Sequence, residues 1–187
     1  SNDAAGQDTV PVWDVLVRGA HWSLVVAVLG AWLARHVDAL HEWLGYAAVA
    51  IVALRLMWGI VGTRYARFAQ FVVSPAMTLR YATDVLAHRE RRYLGHNPLG
   101  AWMIVLLLVT ITLVALTGWL GTTDRFWGDE FVQEAHEALA NALLTLIGLH
   151  VAGVPFSSWR HRENLVRAML TGRKRAPAPQ DVVAGSE

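Results

Sequence analysis

The chain has 187 residues, of which 55% are hydrophobic and only 17% charged, with a formal net charge of +1 and no cysteine. So apolar a composition excludes an ordinary soluble domain, and nucleic acid is not an expected partner. Without thiols neither iron–sulfur clusters nor thioether-attached c-type haem can be held, which leaves His, Met or carboxylate for any metal.

The opening Ser1-Asn2-Asp3-Ala4-Ala5-Gly6-Gln7 has no basic region leading into a short apolar core, so no cleavable signal peptide is expected. Four apolar stretches follow, at about residues 13–34, 41–61, 98–120 and 133–156, each near the roughly 20 residues that a bilayer core requires. Between spans two and three, residues 75–86 have helical spacing of apolar side chains and are predicted to form a short amphipathic helix on the inner membrane surface. Asn97-Pro98 supplies an N-cap followed by proline at the first helical position, a start signal for span three. A second amphipathic stretch, residues 163–170, precedes Gly172-Arg173-Lys174-Arg175, which reads as an anchor facing acidic headgroups. Residues 176–187, opening with Ala176-Pro177-Ala178-Pro179, are expected to be a disordered tail. The fold class is therefore all-α: one integral membrane four-helix bundle, residues 1–175, with short amphipathic surface helices on the cytoplasmic side. The tryptophans read mainly as an interfacial belt, with Trp13, Trp43 and Trp159 the clearest cases.

Basic residues near span ends give the orientation, because cytoplasmic segments retain Lys and Arg. Arg18, the six arginines of residues 64–92 and the six basic residues of residues 160–175 fall on one side, whereas the other side has only Arg35 and Arg125. Both termini are expected in the cytoplasm, with membrane lipid around the four spans. The outer segments are acidic, with Asp38, Glu42, Asp124, Asp129, Glu130, Glu134 and Glu137.

Histidines inside a membrane are costly and normally face the bundle interior, where they serve a function. His136 and His150 in span four are 14 residues apart, some 40° short of four full turns and about 21 Å in rise. They share one helix face at two depths, the pattern required for axial ligands of two stacked haems. Depth then selects their partners. His21 lies early in span one and His150 late in span four, toward the inner leaflet, while His41 and His136 open their spans on the outer side. An inner haem on His21 and His150 and an outer haem on His41 and His136 follow. His36, at the end of span one, competes with His41 for the outer iron, and spacing alone leaves that choice open. His96 suits a propionate or quinone contact better than iron ligation, and His88 and His161 read as solvated surface histidines. Arg55 is a guanidinium inside span two, 14 residues after His41, and a haem propionate would give it an anion with matching fork geometry. Gly45, Gly118 and Gly148 could let a macrocycle approach the helix backbones.

The blocks Arg18-Gly19-Ala20-His21-Trp22, His41-Glu42-Trp43-Leu44-Gly45-Tyr46, Arg55-Leu56-Met57-Trp58-Gly59, Gly95-His96-Asn97-Pro98-Leu99-Gly100, Thr117-Gly118, His150-Val151 and Glu163-Asn164-Leu165-Val166-Arg167-Ala168-Met169 occur in order over about residues 10–175. In this the chain resembles the prokaryotic cytochrome b-561 family, which includes the cytochrome b subunit of nickel-iron hydrogenases. The resemblance implies a four-helix bundle with two bis-histidine b haems on His21, His41, His136 and His150. It also implies that Arg18 and the Gly95-His96-Asn97-Pro98 segment lie near the inner haem or a quinone.

Two protein ligands per iron leave no open coordination position, which favours outer-sphere electron transfer over oxygen chemistry. The expected function is electron transfer between membrane quinone and a periplasmic partner, either a c-type cytochrome or a dehydrogenase or hydrogenase. A superoxide:ubiquinone oxidoreductase is the alternative within the resemblance, though acidic outer segments steer a superoxide anion away. A transporter or structural subunit without haem is the alternative of another class, and it predicts a colourless protein.

Overall fold

The computed structural model describes residues 8–183. In chain order it contains β1 (Thr9–Pro11), α1 (Val15–Leu33), α2 (Asp38–Val61), a 3-10 turn (Phe68–Gln70), α3 (Pro75–Leu86), α4 (Pro98–Gly121), α5 (Glu130–Arg160), α6 (Leu165–Thr171) and β2 (Arg173–Arg175). The helices α1, α2, α4 and α5 are long and apolar enough to cross a membrane, as the sequence predicts. Only 6% of the apolar stretch of α5 and 22% of that of α2 are buried within the protein. Side chains such as Val26 and Ile60 therefore turn outward, an arrangement that only a hydrocarbon solvent stabilises.

Two boundaries differ from those expected. The second long helix starts at Asp38, whose carboxylate suits the positive end of the helix dipole, so His41 lies one turn inside it. The fourth spans 31 residues, about 46 Å, and so exceeds the ~30 Å hydrocarbon core at its charged ends, Glu130 and Arg160.

The described residues divide into two compact units. The first comprises residues 8–18, 58–102 and 152–183. Its apolar core is Val12, Trp13, Val17, Ala66, Leu94 and Ala168. Trp13 is thus a core residue, 8% exposed, and not part of a belt, whereas Trp43 and Trp159 are more than 70% exposed. Within this unit Asp14 caps α1 through the Val17 N–H at 2.8 Å and also accepts bonds from Trp58 Nε1 and Thr63 Oγ1. Ser74 caps α3, which runs over the residues predicted for it, and Asn164 caps α6. That last helix ends at Gly172, where φ is +79° and an added Cβ would meet the Trp13 carbonyl at 2.5 Å, so only glycine fits.

The segment expected to be disordered is held in place through Val183, and residues 184–187 lie outside the described residues. β2 pairs antiparallel with β1, Thr9 opposite Arg175 and Pro11 opposite Arg173. Val182 bonds to Arg92 and Leu94 through backbone groups at 2.8 and 2.9 Å. Arg92 bridges Glu163 at 2.7 Å and Asp181 at 2.5 Å, and Lys174 lies 3.2 Å from Glu163. These four side chains are almost fully buried, so Lys174 is a structural ion-pair partner and not an anchor presented to headgroups. Long-range charge pairing overrides the local composition that suggested disorder.

The second unit comprises residues 19–57 and 103–151 and holds most of the length of the four long helices. Its buried positions are mainly small or branched residues such as Ala27, Ala48, Val52 and Ile111, which let helix backbones approach.

Candidate functional site

All four histidines proposed as ligands fall in the helical unit, and they meet in two pairs. His21 on α1 faces His150 on α5 with ring centroids 6.4 Å apart and planes inclined at 55°. His41 on α2 faces His136 on α5 with centroids 6.1 Å apart and planes at 79°. His36 lies in the turn before α2 with its side chain exposed, so the outer pair contains His41.

A metal–imidazole bond of about 2 Å, plus the ~1.1 Å from ring nitrogen to ring centre, puts two imidazoles on opposite sides of one ion with centroids about 6.2 Å apart. Both observed separations fall close to this value. Among the described residues no group of three or more His, Cys, Asp or Glu side chains converges as a metal site. A two-imidazole donor set suits iron whose other four ligands come from a porphyrin, and suits a bare metal ion poorly.

The neighbours of each ring set which nitrogen faces inward. His41 Nδ1 lies 2.9 Å from the Ala31 carbonyl, and His136 Nδ1 lies 3.0 Å from the Val114 carbonyl and 3.2 Å from Thr117 Oγ1. With the proton on Nδ1 donated to a carbonyl, Nε2 keeps its lone pair for a metal, an outer-shell arrangement common to ligating histidines. These carbonyl anchors were missed in the sequence, because a backbone acceptor leaves no trace in residue type. His21 Nδ1 is buried with no hydrogen-bond partner, a cost that the fold carries unless a ligand or water relieves it.

The glycines divide by role. An added Cβ at Gly118 would come within 3.0 Å of the His136 ring, so this glycine makes room for the histidine. Gly45 follows His41 by one helical turn and has nothing within 4 Å of the Cβ it lacks, so it leaves open space on the histidine's own face. Gly148 likewise borders open space. Arg55 is buried in this same unit at 6% exposure.

The remaining predicted residues belong to the first unit. His96 packs between Trp13 and Phe71, with centroid distances of 4.4 and 4.6 Å. Asn97 Oδ1 accepts the Gly100 N–H at 2.7 Å as the N-cap of α4. Arg18 Nη1 donates to the Leu170 carbonyl, tying α1 to α6. His88 contacts the Arg160 guanidinium, and His161 is half-buried beside it, not freely solvated.

A family model described as prokaryotic cytochrome b561 matches residues 12–172, which include all four long helices and both histidine pairs. No curated protein and no solved structure matches the chain. With a match over most of its length and four apolar helices, the chain belongs to the prokaryotic cytochrome b561 family, as a multi-pass inner-membrane protein that binds haem b and transfers electrons.

Proposed function

We propose that the chain holds two b haems, an inner one on His21 and His150 and an outer one on His41 and His136, and carries electrons between membrane quinone and a periplasmic partner. The observation that carries this reading is the pairing of four histidines from three helices, at two depths, with centroid separations of 6.4 and 6.1 Å. When bound, a six-coordinate haem supplies one-electron outer-sphere transfer with no position left for substrate.

The chain's own residues would do the rest. Ala31 and Val114 hold the outer imidazoles in one tautomer through their carbonyls. Arg55, whose guanidinium is buried, would receive the propionates of the inner haem. Gly45 leaves the face of α2 open beside His41. Both termini and the basic segments would lie in the cytoplasm, with the acidic turns outside drawing a basic c-type cytochrome, or a dehydrogenase or hydrogenase with a basic docking face.

Counting haem tests the reading. The purified protein should carry two haems per chain by absorbance, and His150→Ala and His136→Ala should each lose one while keeping the other. One haem per wild-type chain, or no change in either variant, would sink the two-site assignment.

A further inference from the structure

The first unit contains a concave basic region that none of the four paired histidines lines. A cavity of about 430 Å³ opens between three stretches of chain, residues 89–92, 160–162 and 175–181. Six arginines line it against two carboxylates. Both carboxylates are already engaged: Glu90 pairs with Arg160 at 2.6 Å, and Asp181 pairs with Arg92. Among the described residues Arg89, Arg91, Arg162 and Arg175 form no ion pair; Arg91 Nε donates to the Gln180 carbonyl at 3.1 Å and Arg175 acts on Asp181 at longer range, which leaves the concavity with an excess of guanidinium charge. Like charges gathered from separate segments repel, and a need for basic residues near a span end would be met as well by arginines spread over a convex surface.

A second, independent observation concerns the backbone. The end of α5 closes with Glu163 N–H on the Ser158 carbonyl and Arg162 N–H on the Trp159 carbonyl. This puts Arg162 at the left-handed position that terminates a helix, with φ of +50°. Glycine occupies that position without strain and does so at the end of α6, where Gly172 has φ of +79°. Here an arginine sits in the strained position and lines the cavity. Trp159, largely exposed one turn earlier, marks the depth as that of the lipid headgroups.

We propose that this cavity is a binding site for a phosphate-bearing anion, an acidic phospholipid headgroup or a free phosphate compound, with Arg162 as a direct ligand. Guanidinium forks match phosphate oxygens in pairs.

The cap geometry supplies an unusually clean variant, since Arg162→Gly removes the charge while relieving the backbone. It should fold with a melting temperature equal to or above that of the wild type. Arg167→Gln, an exposed arginine that does not line the cavity, controls for net charge. The haem-loaded full chain is offered phosphatidylglycerol or phosphatidylcholine in mixed micelles, with retained lipid counted by native mass spectrometry. In a second arm it is offered inorganic pyrophosphate at constant ionic strength, with binding read by thermal shift.

Wild type and Arg167→Gln should bind the anion, and Arg162→Gly should bind it at least about tenfold more weakly, as expected for one charge-assisted contact. Such a loss in the lipid arm identifies a headgroup site, and a loss in the pyrophosphate arm a free-phosphate site. Equal affinity of wild type and Arg162→Gly in both arms overturns the proposal, as does phosphatidylcholine retained as well as phosphatidylglycerol with no pyrophosphate bound. Haem content is not the readout, so the outcome is separable from that of the two-haem reading.

Discussion

The two units of this protein stabilise buried polar groups in opposite ways. In the first, Arg92, Glu163, Lys174 and Asp181 neutralise one another, and nearly every contact is made by the chain itself. In the second, imidazoles meet in pairs with ring centroids 6.4 and 6.1 Å apart, a spacing that suits a ligand shared by both rings. A cluster whose charges neutralise one another is satisfied by the chain's own residues, whereas paired imidazoles gain further stability from a ligand that binds both. A self-paired scaffold thus stands beside a unit that carries the histidine pairs.

It can be broken most forcefully at Arg92. Arg92→Met leaves Asp181 without its buried counter-charge and Glu163 with Lys174 alone, a loss of about 3–5 kcal/mol for a pair broken on one side. Hydrogen exchange at the Leu94 and Val182 amides should rise steeply while the haem absorbance stays that of the wild type. A spectrum lost along with those amides would mean that scaffold and haem sites are not separable.

A smaller effect on the other unit sharpens the contrast. Gly118→Val pushes a branched side chain against the His136 ring, which a bare Cβ already approaches to 3.0 Å, at a cost of about 1–3 kcal/mol. The outer haem should be weakened or lost and the inner one retained. If both remain at wild-type occupancy, His136 has freedom that its carbonyl anchor argues against.

The mildest test is acid. Burial pushes the Glu163 carboxyl up, but hydrogen bonding from Arg92 and the charges of Lys174 and Arg92 outweigh this and hold it below its ordinary value of 4.5. Burial also raises Asp181, and the Ala178 N–H and Arg92 hold it below 3.8. A depressed carboxylate contributes stability that is complete above its unfolded value and lost as pH falls through the folded one. Proteolytic release of residues 176–183 should therefore begin only below about pH 4.5, and Glu163→Gln should remove much of that dependence. Release that starts near neutrality would point to a histidine instead.

The sequence alone determined what a helix period and a bilayer thickness dictate. Four spans, the shared face of His136 and His150, the depth at which His21 matches His150, and the helix at residues 75–86 were all legible, because each depends on residues close in the chain or on a fixed rise per residue. Only the tertiary structure decided the rest. Whether Trp13 faces lipid or a core, whether His36 or His41 meets His136, whether residues 176–183 wander or pair with Arg92, and which carbonyls orient the imidazoles all turn on contacts between distant segments. Backbone acceptors and long-range ion pairs leave no periodic mark in a sequence. They acquire their energy only when the fold has removed water from both partners.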